Sequence, residues 1–457
     1  MTNLSGSSGG RALAGFVLGS AVFLAPAVAA SAQNAPGQVM ADAGQNQNAT
    51  AAPLTVTLQD AIERARKNSP EFHAALTEYG VAKENRVQSR AALLPSVNYQ
   101  AAYLYTQGNG TPAARFIANN GVHEYISQGN AHQAFSLETV ADYRRTLAAE
   151  AMAKARAEIA ARGLVVTVVE LYYGFATAQR KYATGQRAAG EAQHFLDISQ
   201  KLERGGEVAH SDAIKAQIQL QQQQRDLQEA QLAMERSRAE LAILLFPDFN
   251  QNFSVVDDLQ APAPVPSFAE VQTAAASQNP QLRAALAAMR EANQEVAVAW
   301  NGFFPALSLD SYYGIDANRF VAQSDGVRNL GYAATATLQL PVWNWGANRS
   351  KVKQANLRRE QARVELSFAQ RQVLADLQTF YREAETAREE LDSLQKSAEL
   401  AAESLRLTNL RYQAGEATVL EVVDAQNTLT QSSNFFDDGQ ARFRVALANL
   451  QTLTGSL

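Results

Sequence analysis

The chain has no cysteine among its 457 residues. Disulfides, thiolate metal sites and thiol nucleophiles are excluded with it, and so is a lipid anchor attached through an N-terminal cysteine. Histidine is scarce too: His73, His123, His132, His194 and His210 never pair at i,i+3 or i,i+4, so no helical zinc motif is present. His210-Ser211-Asp212 lies in a helical stretch without a strand-turn-helix nucleophile setting, and no phosphate loop occurs. An enzyme is therefore not expected, and no cofactor is implied. Net charge is only −5, without a basic cluster on the scale that nucleic-acid binding needs. Past the N-terminus no stretch has eighteen consecutive apolar residues. A mature chain that crosses a membrane must then do so as a closed β-barrel.

What is present begins with an export signal. Arg11 is the only early charge, a mostly apolar run extends from Ala12 to Ala30, and Ala30 and Ala32 fit the A-x-A cleavage spacing. Residues 1–32 are read as the signal peptide, with cleavage after Ala30 as the second choice. A membrane anchor is disfavoured by Pro26 and the short apolar core. Residues 33–53, rich in Gln, Asn, Ala and Gly, read as a disordered lead-in.

The rest is written twice. Ser69-Pro70 and Leu94-Pro95-Ser96 recur as Asn279-Pro280 and Phe304-Pro305-Ala306, 210 residues on, with 25 residues from Pro to Pro in both copies. Gly206-Glu207-Val208 and Ala216-Gln217 recur as Gly415-Glu416-Ala417 and Ala425-Gln426 at an interval of 209. So small a drift over so long an interval means duplicated architecture with equal element lengths. The expected repeats are 54–258 and 267–457, joined by the proline-rich connector 259–266. The first holds a β-hairpin at 96–139 and a long helical hairpin at 142–246; the second holds them at 306–342 and 346–454.

The strands show as a change of period. Val97, Tyr99, Ala101, Tyr103 and Tyr105 alternate with Asn98, Gln100, Ala102 and Leu104. The expected partner spans about Ala131 to Thr139, after a long loop from Thr106 to Asn130. In the second copy Leu307, Leu309, Ser311 and Tyr313 form one strand face, and Tyr332, Ala334, Ala336, Leu338 and Leu340 another. Ala114–Ala118 resembles Asn318–Ala322 between the strands. Each strand is about ten residues, enough to cross an outer-membrane hydrocarbon layer at a tilt. Four strands do not close a barrel, so they form either a soluble sheet or part of a barrel shared between chains; the aromatic, half-apolar faces favour the shared barrel. Tyr99, Tyr103, Tyr105, Tyr312, Tyr313 and Tyr332 are candidate barrel-surface aromatics, and Trp343 and Trp345 suit the inner interfacial girdle.

After each strand pair comes a very long helix with a seven-residue repeat. Leu366, Val373, Phe380, Ala387, Leu394 and Ala401 run beside Leu377, Ala384, Leu391, Ala398, Leu405 and Tyr412. The first copy has Ala161, Val168, Phe175, Tyr182, Ala189 and Leu196 beside Leu164, Leu171, Ala178, Gly185 and Ala192. Both rows are coiled-coil seams. The long helices stop at Arg204-Gly205-Gly206 and Gln413-Ala414-Gly415, where glycine allows the chain to reverse. The short helices add up to a long one, so they stack end to end beside it in a cylinder of even length.

Taken together, Asn68-Ser69-Pro70 with Gln278-Asn279-Pro280, Leu93-Leu94-Pro95 with Phe303-Phe304-Pro305, Leu340-Pro341-Val342-Trp343, and Tyr412-Gln413-Ala414-Gly415 before Val422-Val423-Asp424-Ala425-Gln426 resemble the TolC-like outer membrane efflux protein family over about 54–457. The resemblance implies a homotrimer. It implies a fold of all-α long coiled-coil hairpins plus four strands per chain, given to a trimeric 12-stranded transmembrane β-barrel that continues as an α-helical tunnel in the periplasm. The implied function is a passive outer-membrane exit channel of a tripartite efflux or secretion system, for small molecules or polypeptides. Its implied partners are itself, outer-membrane lipid, a periplasmic adaptor and an inner-membrane pump of the resistance-nodulation-division or ABC type. The turns at Gly205, Gly206, Ala414 and Gly415 would be the adaptor-docking tips. Relatives narrow the tunnel entrance with aspartates near the second tip; here Arg406 and Arg411 stand there, with Glu399 and Glu403 further back. The competing assignment for Arg406 is a solvated helix face, paired with Glu403. The competing function is a periplasmic structural coiled-coil interaction protein with no channel activity, which has no need for membrane-length aromatic strands.

Overall fold

A computed structural model describes residues 54–105, 123–261, 263–324 and 326–455. The signal peptide, the lead-in 33–53 and most of the first inter-strand loop, with its Ala114–Ala118 segment, lie outside the described residues. The elements run β1 (Leu54–Val56), α1 (Leu58–Asn68), α2 (Pro70–Ala91), β2 (Ser96–Tyr105), β3 (His123–Phe135), α3 (Leu137–Gly205), α4 (His210–Leu245) and β4 (Phe253–Val255). They continue as α5 (Phe268–Gln278), α6 (Pro280–Asn301), β5 (Ala306–Ala317), a small ribbon of β6 (Gln323–Ser324) and β7 (Val327–Arg328), β8 (Leu330–Gln339), α7 (Ala347–Gln413) and α8 (Val419–Thr454).

The duplication extends to element lengths. α1 and α5 both have 11 residues, α2 and α6 both 22, and α4 and α8 both 36, while the long α3 and α7 have 69 and 67. The boundaries come from the same local chemistry in both copies. Thr57 with Asp60 and Ser267 with Glu270 form capping boxes, and Ser69 and Asn279 cap helices whose first residues are Pro70 and Pro280.

Two boundaries differ from the sequence reading. β3 begins at His123, inside the expected loop, and ends at Phe135 rather than Thr139. The apolar spacing of Leu137 and Thr139 suggests strand, but the Ser136 side chain accepts the Thr139 amide at 3.0 Å and caps α3 there. Residues 123–130 are mostly polar, with only Tyr125 and Ile126 apolar and adjacent, so they carry little apolar alternation; all the same they pair with β2, and from Tyr125 on with β5 too.

α3 is the spine. α2, α4, α6 and α8 pack along it, and α7 packs on α6 and α8. In its middle third α3 is buried on more than its two seam rows. Val165, Val169, Tyr172, Tyr173 and Ala176 face a core made with α1, β1, β4, Leu245 and Phe246. The same helix holds a window apolar enough by composition to cross a membrane, with mean hydropathy 1.4 and nearly half of it buried within the chain.

β1 and β4 pair in parallel, 54 to 253 through 56 to 255. Tyr172, wholly buried, donates its hydroxyl to the Val256 carbonyl at 2.7 Å and lies 3.2 Å from that of Val56. One side chain of α3 thus ties the start of the first repeat to its end, just before the connector. That end is held further by Arg180, which bonds Asp257 at 2.8 Å and Asp437 of α8 at 3.1 Å. Arg444 of α8 also donates to the Asp258 and Ala261 carbonyls, at 2.6 and 2.8 Å. Burial pushes the Asp437 carboxyl up, against the pull of the Arg180 guanidinium.

Burial pushes the Tyr172 hydroxyl up to about 12. Between pH 10 and that value the unfolded chain releases a proton that the folded chain keeps, so stability falls as pH rises. Tyr172→Phe is expected to cost about 1–2 kcal/mol at neutral pH from its lost hydrogen bonding. It should also flatten the alkaline decline in melting temperature above pH 10, read by thermal melts of both proteins across that range.

Candidate functional site

The four long strands form one antiparallel sheet in the order β2-β3-β5-β8. Pairing runs Ser96↔His132 to Tyr105↔His123, Phe135↔Leu307 to Tyr125↔Ala317, and Ala306↔Gln339 to Ile315↔Leu330. Because side chains alternate, this register sorts them into two faces. One carries Val97, Tyr99, Tyr103, Tyr105, Tyr125, Leu307, Leu309, Tyr313, Ile315, Tyr332 and Leu338; the other carries Asn98, Gln100, Gln128, Asn130, His132, Ser308, Asp310, Thr335, Thr337 and Gln339. Tyr312 belongs to the polar face, since neighbours in a strand point opposite ways; it is not a surface partner of Tyr313.

The apolar face is uncovered. Tyr99, Tyr103, Tyr105, Tyr313 and Tyr332 are between 54 and 71% exposed. The tyrosines still satisfy polar atoms sideways, Tyr99 with Ser127 at 2.7 Å and Tyr103 with His123 at 2.8 Å. On the polar face His132 and Asp310 meet across β3 and β5 at 2.7 Å. Gly314 is the point of closest approach: a Cβ there would stand 2.2 Å from the Ser127 carbonyl oxygen. Only glycine fits that pairing. The outer strands β2 and β8 are exposed at every residue, and neither has a partner on its outer edge among the described residues.

A groove opens on the helical part as well. Roughly 200° around α3 from Tyr172 and Ala176, Gly174 and Ala178 open a groove of about 400 Å³ between α3, α4 and α8. Thr177, Lys181, Gln223, Asp226 and Asn434 line it.

At the far end lie the hairpin tips. Gly206 has φ 78° and Gly415 φ 75°, while Gly205 is still helical and Ala414 keeps a right-handed conformation at φ −84°. The amides of Glu207 and Glu416 reach back to the carbonyls of Leu202 and Arg411, 2.9 and 2.8 Å away, closing both turns alike. Just inside the turns the two hairpins are joined. Ser199 of α3 and Tyr412 of α7 share a buried hydrogen bond of 3.0 Å, with the Phe195 ring 5.0 Å from that of Tyr412. Leu196, Leu405, Val419 and Val422 complete this cluster, and burial pushes the Tyr412 hydroxyl up. The companion seam row of the first copy, continued one heptad past Ala192, falls on Ser199. A hydroxyl in an apolar row was the available sign of this contact.

The charged residues near the second tip do not converge. Arg406 pairs with Glu403 at 2.7 Å, which holds the Glu403 carboxyl below the usual carboxylate range. Arg411 pairs with Glu421 at 3.4 Å and Glu399 accepts from Gln395 at 2.9 Å. Trp343 and Trp345, 75 and 89% exposed, stand between β8 and α7 with ring centroids 5.7 Å apart. Among the described residues no three acidic or histidine side chains gather as metal ligands would.

The family model described as "Outer membrane efflux protein" matches residues 61–245 and 271–456. The chain belongs to that family. Both halves of the match coincide with a helix–sheet–hairpin repeat. The chain is 23% identical over 419 residues to the alkaline protease secretion protein AprF of Pseudomonas aeruginosa, covering 88% of this chain and 84% of that one. It is 22% identical over 406 residues to the outer membrane protein TolC of Vibrio cholerae, covering 88 and 91%. The crystal structure of the Campylobacter jejuni CmeC outer membrane channel superposes with a TM-score of 0.74 at 19% identity, over 87% of this chain and 85% of that one. This efflux protein is accordingly an outer-membrane channel, with its helical portion in the periplasm, and a transport protein rather than a catalyst.

Tyr412→Phe removes the hydroxyl bridge and leaves the ring. It is expected to loosen the tips by about 0.5–1.5 kcal/mol. Hydrogen exchange should show faster opening of 195–202 and 405–415 with the sheet amides unchanged.

Proposed function

We infer that three copies of this chain join edge to edge, β2 of one against β8 of the next, into a twelve-stranded barrel. The four helical lanes of each copy continue that barrel as a twelve-helix tunnel. The observation that carries this reading is the sheet itself: four strands of membrane-crossing length, one apolar face, one polar face and two open edges. In hydrocarbon an unpaired edge costs several kcal/mol per polar group, so the edges must meet partners. The apolar face then meets lipid, with Tyr99, Tyr103, Tyr105 and Tyr313 in the wall and Trp343 and Trp345 at its inner rim. Outward apolar residues of α7, Leu357, Val364 and Phe368, over half exposed in the single chain, add a helical contact for the next copy.

In this reading the tunnel is a passive exit duct. The turns at Gly205, Gly206, Ala414 and Gly415 dock onto a periplasmic adaptor, and an inner-membrane pump of the resistance-nodulation-division or ABC type supplies the energy. The Ser199–Tyr412 contact holds the two hairpins of a protomer together near the entrance, and parting them would widen it. The groove by Thr177 sets Lys181, Gln223, Asp226 and Asn434 among small apolar residues in the wall, a surface compatible with hydrated cargo, small molecules or polypeptides. AprF, a protease secretion protein, fits the polypeptide end of that range.

The absence of native thiols allows a clean assembly test. Single cysteines walked along β2 and β8 in pairs are expected to yield oxidised trimers on denaturing gels at one register. The unmodified protein should give stepwise conductance in planar bilayers. A water-soluble monomer without conductance at any register ends this reading.

Charge reversal of Arg406 and Arg411 to Glu is expected to shift conductance and move ion preference toward cations; unchanged single-channel records would remove both residues from the entrance. Gly415→Val, which forces a β-branched residue into a left-handed turn, should lower export in cells more than it lowers folded trimer.

A further inference from the structure

Residues 340–346 join the apolar sheet to the second long helix, and their exposure has no explanation within the chain. Val342, Trp343 and Trp345 are 84, 75 and 89% exposed. Trp345 has φ 53°, the sole left-handed residue other than glycine among those described. A bulky side chain is placed in that conformation and yet stays almost wholly exposed, with the Trp343 ring beside it. The helix that follows is also unlike its counterpart. α3 opens with a Ser136 cap and Glu138 in its first turn; α7 opens at Gly346 with no side-chain cap and no acid in its first turn. Residues 347–363 instead hold six Lys or Arg against one acid, Glu360.

Cations at a helix N-terminus oppose the helix dipole. Helix stability therefore does not account for them. Arg358 is engaged by Glu295. Arg349, Lys351 and Lys353 are exposed and have no ion pair among the described residues. They lie within about 10 Å of Gly346 along the helix axis. The hydrocarbon-facing side of the sheet ends immediately before, at Leu338 and Leu340. An aromatic pair at the edge of an apolar band, followed at headgroup depth by unpaired cations, is a surface complementary to anionic lipid.

We propose that Trp343, Trp345, Arg349 and Lys353 form a binding surface for anionic phospholipid headgroups in the periplasmic leaflet of the outer membrane. The tryptophans set the depth of the collar in the interface, and the two cations select a negatively charged headgroup over a zwitterionic one. The proposal rests on the sheet being the membrane-inserted part, as the barrel reading requires.

The test uses the assembled full-length protein in nanodiscs of phosphatidylethanolamine and phosphatidylglycerol, with the lipid retained after partial delipidation measured by mass spectrometry. The native protein is expected to enrich phosphatidylglycerol at least three-fold over the bulk ratio, less so at high salt. Arg349→Glu with Lys353→Glu should return the ratio to bulk with trimer and conductance intact, since acids at that helix end favour folding. Trp343→Ala with Trp345→Ala should reduce total retained lipid. No enrichment by the native protein, or full enrichment by the charge-reversed one, overturns the proposal. So does loss of enrichment in excess inorganic phosphate, which marks a free-anion site rather than a lipid surface. Unchanged total lipid in the tryptophan variant removes those residues from it. Absent conductance with enrichment intact counts against the channel reading alone.

Discussion

A backbone amide or carbonyl that enters hydrocarbon has to find its hydrogen bond within protein, because no water is there to replace it. That requirement bears on this chain more than any side chain does. Its sheet pairs the inner edges of β2 and β8 and most of both edges of β3 and β5, and it leaves the outer edges of β2 and β8 open. The open edges lie on strands exposed along their whole length. In the proposed barrel such edges meet those of neighbouring copies. The apolar face has the same consequence from the side-chain direction, since Tyr99, Tyr313, Tyr332 and Leu338 have no cover within the chain.

The duplication gives that association its geometry. Each copy delivers two long strands, one long helix and shorter helices of 11, 22 and 36 residues, the same in both copies, so in the proposed barrel a protomer is an even strip of wall. Small residues make the strip tight: a Cβ on Gly439 would meet Leu394 at 2.5 Å, where α8 lies against α7. The strip is pinned at both levels below the sheet. Tyr172, Arg180 and Arg444 hold the end of the first repeat and the connector at mid-height, and Ser199 with Tyr412 holds the tips. The two copies differ where they meet the rim: Ser136 and Glu138 begin one long helix, and Trp345, Gly346 and Arg349 begin the other. Equal architecture with unequal chemistry is how a duplicated chain gives one repeat a surface role that the other lacks.

Much of this was legible in the residues. Pro70 and Pro280 marked helix starts, and Tyr99, Tyr103 and Tyr105 marked a strand by alternation. The glycines at 206 and 415 marked reversals that the backbone angles carry. Other features depart from the local pattern for identifiable reasons. Leu137 and Thr139 keep a strand-like spacing, and only the Ser136 cap assigns them to helix. Residues 123–130 are too polar to alternate visibly, and their strand is held from both sides by neighbours. The third buried face of α3 lies in a run from Leu164 to Val169 that only Thr167 interrupts, but what covers it, β1 and β4, are three-residue strands with no periodicity to detect.

The sequence by itself determined the twofold plan, the order and approximate length of the elements, the seam rows and the residues able to sit in turns. All of these are set by neighbours within a few positions, where sterics and helical or pleated spacing act directly. Tertiary structure alone decided the pairings: Tyr172 with Val56 and Val256, Arg180 with Asp437, Ser199 with Tyr412, His132 with Asp310. Those partners stand from 84 to 257 residues apart. A local pattern records that a polar group is present in an apolar row, and only the packed chain brings the group that satisfies it.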